Sequence, residues 1–92
     1  MTLDIHHNPA VPRFEARVEG QLCVAQYRIF GRVLMATHTG VPGPLRGRGI
    51  AAELVRALLD HARAKGLKVR PDCSYVEAYM RRHPETRDLL ID

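Results

Sequence analysis

No apolar stretch in these 92 residues approaches the roughly 20 residues that a membrane span needs. The opening "MTLDIHHNPAVPRF" is polar and broken by proline, so it lacks the apolar middle of a secretory signal. Cysteine is scarce: Cys23 and Cys73 stand alone and far apart, which matches no metal-binding spacing. Free thiols in a reducing cytoplasm are therefore expected. Lysine occurs only at Lys65 and Lys68, and the arginines are scattered from Arg13 to Arg87 without a basic run. The formal charge of +4 then describes a solvated surface or a small anionic ligand, and a sequence-specific nucleic-acid interface is not expected. Internal repeats and low-complexity tracts are absent. The length suits one domain over 1–92, with 1–12 as a loose lead-in because Pro9 and Pro12 interrupt it. His6 and His7 have no acidic or cysteine partner at ligand spacing, and an exposed pair is expected there rather than a metal site.

What is present is a change of period. "FEARVE" alternates, with Phe14, Ala16 and Val18 on one face. Gly20 permits a turn into "QLCVAQYRIF", where Cys23, Ala25, Tyr27 and Ile29 share a side. Gly31 turns the chain into "RVLMATHT", so three strands form an antiparallel meander. Gly40, Pro42, Gly43 and Pro44 end the last of them. Ile50, Leu54, Val55, Leu58, Leu59 and Ala62 then recur at helical spacing, with Gly66 as the stop. "LKV" is a short strand; with the helix it completes a βαβ unit and should lie parallel to the third strand. "SYVEAYMRRH" reads as a second helix with Ser74 as N-cap, and Leu89, Leu90 and Ile91 dock on the core. The fold class is α/β of the α+β kind: a mixed, mostly antiparallel sheet with two main helices.

"PLRGRGIAAELV" sits where the first helix begins. The first N–H groups of a helix lack intrahelical partners, and the macrodipole adds partial positive charge there. Gly47 and Gly49 bare the backbone, Arg46 and Arg48 bring guanidinium groups, and acid appears only at Glu53. This pattern describes an anion site. It equally describes a loop whose glycines serve geometry and whose arginines are solvated. It is not a P-loop, since no lysine follows the glycines, and it is not the early dinucleotide fingerprint.

The same stretch resembles the acetyl-CoA signature of the GNAT superfamily of N-acetyltransferases, [QR]-x-x-G-x-[GA], at Arg46, Gly49 and Ala51. "THTGVP" before it and "VRPDCSYVEAYMRRHPE" after the helix are similar to the small single-domain members called NATD-type or YidJ-like, over roughly residues 6 to 90. The resemblance implies a minimal GNAT-like fold that binds acetyl-CoA and moves its acetyl group to an amine. The amides of Arg46, Gly47, Arg48, Gly49, Ile50 and Ala51 would hold the pyrophosphate. Val41, Ser74, Tyr75 and Arg82 would lie along the same ligand. Relatives usually carry an acidic residue where this chain has Gly40.

Three side chains are catalytic candidates. Cys73 opens the second helix, where the dipole favours a thiolate. In the family it resembles, this cysteine sits beside the acetyl group, either as nucleophile or as a wall of the site. His38, near the end of the third strand, is a residue type that can act as a base and deprotonate an amine, or it is a polar residue on the wet sheet face. Tyr79 is the family-type donor for the departing thiolate, or an aromatic of the core. His61 is expected on the surface, and His83 with Arg81 and Arg82 is either a phosphate contact or a basic helix end. No metal is expected. The acceptor is an unspecified amine, no membrane partner is expected, and a monomer or homodimer is anticipated. A CoA-binding module or sensor with little catalysis is the rival reading.

Overall fold

Alternating apolar side chains set the first half of the chain into strands. The computed structural model describes residues 3–91. Strands β1 (His6–Asn8), β2 (Arg13–Val18), β3 (Gln21–Phe30) and β4 (Val33–Gly40) lie side by side in antiparallel order. A 3-10 turn at Gly43–Leu45 leads into α1 (Ile50–Ala64). The chain then enters β5 (Lys68–Pro71), parallel to β4, and α2 (Ser74–Arg82). The expected meander and βαβ unit are both present. A further 3-10 turn, Pro84–Leu89, brings Leu90 into a parallel bridge with Val69, and Ile91 N–H donates to the Val69 carbonyl at 3.1 Å.

The apolar stripe of α1 is buried, residue for residue: Ile50, Leu54, Val55, Leu58, Leu59 and Ala62. It packs on Phe14, Ala16, Cys23, Ala25, Tyr27, Leu34 and Ala36, which project from one face of the sheet. Val76 and Met80 of α2 join this same core. Among the described residues, no helix covers the opposite sheet face.

Three expectations need correction. Residues 6–8 are not loose: His6, His7 and Asn8 pair with Glu15, Phe14 and Arg13. Pro9 and Pro12 fall in the connection to β2, where no ladder donor is required. Ile29 leaves the core and is 48% exposed. β2 stops at Arg13 opposite Gln26, so the end of β3 has lost one neighbour. The N-cap of α2 is Cys73 rather than Ser74, which is the first helical residue.

Candidate active site

The functional geometry begins where two parallel strands part. β4 and β5 pair only from Val33↔Lys68 to Ala36↔Pro71. Pro71 has no N–H with which to continue the ladder. On the other edge of β4, Gln26 pairs with His38 but Tyr27 pairs with Ala36, so Thr37 is an extra residue. Such a bulge bends a strand and re-aims its side chains, which is why bulges recur beside active sites. Past Ala36, β4 is paired by β3 alone, and the gap left in the ladder beside its end is crossed by Cys73 at the start of α2.

Cys73 bridges that gap. Its N–H donates to the Ala36 carbonyl at 2.9 Å, and its Sγ stands 3.5 Å from Thr39 Oγ1. Burial pushes the thiol up, but the Thr39 hydroxyl and the backbone N–H groups of Val76, Tyr75 and Thr39 outweigh it. The net result is a thiol held below its ordinary range. Cys23, by contrast, is fully buried and burial raises its thiol.

A cleft of about 870 Å³ wraps around the carboxyl end of β4. Its lining includes His38, Thr39, Val41, Arg46, Gly47, Gly49, Ile50, Ala51 and Tyr75. Gly47 and Gly49 hold φ of 83° and 81°, a left-handed conformation that disfavours other residues. A Cβ at either position would project into open space. The glycines are therefore required by backbone conformation, and the space before them is free. Among the described residues, the N–H groups from Gly47 to Ala52 donate to no backbone carbonyl; the helix ladder starts with Glu53 N–H to Gly49 O at 3.2 Å. Arg46 Nε donates to the Val41 carbonyl at 3.2 Å, which fixes the approach to this loop. The residues present can thus cradle a phosphate group.

Several sequence-level candidates sit elsewhere. The guanidinium of Arg48 does not line the cleft; it pairs with Glu19 in the β2–β3 turn. Cys73, Ser74 and Arg82 are also outside the lining, although Cys73 touches the lining residue Thr39 and the Arg82 charge reaches the Tyr75 phenol. Tyr79 belongs to a separate groove with Arg56, Asp60 and Glu85, and its ring stacks on His83 at 3.9 Å. His83 Nδ1 donates to the Tyr79 carbonyl at 2.7 Å, and Arg81 pairs with Glu77. His61 is not a plain surface residue: its ring lies 4.5 Å from that of His7 and 5.5 Å from that of Phe14. Gly40 is packed tightly, since an added Cβ would stand 3.1 Å from His38 Nε2. The imidazole fills the space that a side chain at position 40 would need.

Thr39, Arg13 and Gln26 were missed at the sequence level. Thr39 is inside the quoted "THT" motif, but only the bulge shows that it, rather than His38, shares a face with Cys73. Arg13 and Gln26 line the far end of the cleft, and strand register is what brings them there.

A mixed sheet whose one parallel pair, β4 and β5, parts beside an open helix start defines the N-acetyltransferase class of α+β domain. The chain belongs to the GCN5-related N-acetyl-transferase family, whose model matches residues 13–89. It is similar to "Protein NATD1" of Homo sapiens, 34% identical over 83 residues covering 87% of this chain and 74% of that protein. It resembles the Gallus gallus protein of the same name at 33% identity over 85 residues, covering 89% and 77%. Among solved structures it resembles the NMR solution structure of a GCN5-like protein from Staphylococcus aureus. That match has a TM-score of 0.77 and 25% identity, and covers 97% of this chain and 88% of the other. No helix is long and apolar enough to cross a membrane, and no three His, Cys, Asp or Glu side chains converge as a metal site among the described residues.

Proposed function

We propose that the protein binds acetyl-CoA and transfers its acetyl group to an amine. One observation carries this reading: a single cleft runs from the bare amides at the start of α1 to Thr39, whose hydroxyl meets the Cys73 thiol just outside the lining, and the surroundings of that thiol stabilise negative charge. The amides of Gly47 to Ala51 would take the diphosphate, and the free edge of β4 would bind and orient the pantetheine arm. His38 would take a proton from the incoming ammonium on the helix-free side of the sheet, leaving a neutral amine to attack the thioester carbonyl. Tyr75, rather than Tyr79, lines the cleft and would protonate the departing CoA thiolate. Burial raises its phenol, with Arg82 pulling the other way, so it stays protonated near neutral pH. Cys73 would either carry the acetyl group as a thioester or wall the site while the amine attacks directly. Two cysteines with no disulfide fit a reducing cytoplasm.

A second reading, a CoA-binding module without turnover, draws on a specific feature: among the described residues, no aspartate or glutamate lines the cleft. Calorimetric titration with acetyl-CoA tests the binding site, using Gly49→Asn and Gly49→Asp. Both variants bear the same left-handed backbone cost, so their difference isolates the carboxylate charge. Affinity of the Asp variant should fall at least about tenfold below that of the Asn variant. Equal affinities overturn the phosphate site. Intact mass after incubation with an amine then separates acetyl transfer from binding alone.

A further inference from the structure

The helix-free face of the sheet carries a polar row that the phosphate site does not use. Asn8 pairs with Arg13, Arg13 with Gln26, and Gln26 with His38, so these four residues stand directly opposite one another across β1 to β4. Directly paired residues of antiparallel strands project to the same face. Three of them, Arg13, Gln26 and His38, line the same cleft as the loop at Gly47 and Gly49. The cleft therefore runs past the reacting position and on across two further strands. Arg13 lies two inter-strand spacings, roughly 10 Å, from His38.

Arg13 is oriented. Its Nε donates to Glu15 Oε2 at 2.6 Å, and the two side chains are only 23% and 22% exposed. That contact uses one edge of the guanidinium, and among the described residues the terminal Nη groups have no recorded partner. A half-buried, anchored guanidinium with free terminal N–H groups suits a bidentate carboxylate. Gln26 offers an amide between the two ends.

We infer that this row is the acceptor subsite, and that it takes an elongated amine bearing a carboxylate, with the amine at His38 and the carboxylate at Arg13. The inference rests on the acetyl-transfer reading and names the class of its acceptor. Glu15 neutralises part of the Arg13 charge, so the carboxylate contact is tuned down from its full strength.

The test compares ω-aminohexanoate with n-hexylamine, which share length and amine but differ in the carboxylate. kcat/KM with acetyl-CoA should favour aminohexanoate by about tenfold, the size of one charge-assisted pair. Arg13→Gln should bring the ratio of the two amines towards unity, Arg13→Lys should keep part of it, and Glu15→Gln should raise it. The same ratios are read without turnover, as amide chemical-shift titrations of the CoA-loaded protein with each amine. A wild-type ratio near unity, or a ratio that survives Arg13→Gln in a folded variant, overturns the subsite. Equal acetylation of both amines would leave acetyl transfer standing and sink the subsite. Carboxylate-selective binding that needs Arg13, with neither amine acetylated, would do the reverse.

Discussion

At the scale of single residues, Cys73 is the sharpest case because opposite influences meet on one sulfur. Burial alone would raise its pKa, as it does for Cys23. The Thr39 hydroxyl and three backbone N–H groups stabilise the anion and reverse the sign. The thiolate should therefore form at lower pH than in an unstructured peptide. Alkylation by iodoacetamide, followed against pH, should show a midpoint below that of the same thiol in the urea-unfolded chain. Thr39→Val removes the side-chain donor and keeps the shape, so it should move that midpoint upward. A midpoint unchanged by the substitution would assign the shift to the backbone N–H groups of Thr39, Tyr75 and Val76. Cys23 should stay unreactive while the protein is folded.

At the scale of elements, α1 shows why sequence reading succeeds. Six apolar residues at helical spacing all enter the core, while Glu53, Arg56, Asp60, Arg63 and Lys65 stay exposed. Leu58→Ala leaves a cavity at a fully buried position and should cost about 2–5 kcal/mol in urea unfolding. Glu53→Ala, on the exposed side, should change stability by no more than about 0.5 kcal/mol. Periodicity also placed β2 to β5 within a residue or two. It missed β1, because three residues between a polar start and Pro9 carry too little pattern to register as a strand. The candidate site was legible only in part. Gly47 and Gly49 announce themselves by residue type. The Arg13–Gln26–His38 row depends on the register of three strands, and the bulge at Thr37 decides which face each side chain takes. Tyr75 and Tyr79 share a helix face in sequence, but one turn of α2, about 6 Å along its axis, carries Tyr79 beyond the cleft into a different groove.

At the scale of the whole molecule, one aromatic cluster ties four elements together. His7 of β1 stacks on Phe14 of β2 at 4.4 Å, meets the Tyr27 hydroxyl of β3 through Nε2, and faces His61 of α1. Burial, then the nearby His7, then Lys65 push the His61 pKa down from its ordinary value. The unfolded chain therefore binds this proton more readily than the folded one. The contribution to stability is complete above the ordinary histidine value of about 6.5 and drains away as pH falls through the lower folded value. Two other shifted groups act in separate windows. The Arg63 hydrogen bond holds Asp88 below the usual carboxylate range, so that pair is lost only in stronger acid. Cys73, with its lowered thiol, acts on the alkaline side. Thermal unfolding followed by circular dichroism should show the melting temperature falling between about pH 7.5 and about pH 5. His61→Leu keeps the packing and removes the proton, so its melting temperature should vary much less over that interval. An equal fall in the variant would place the acid sensitivity elsewhere and reduce the seam between β1 and α1 to packing alone.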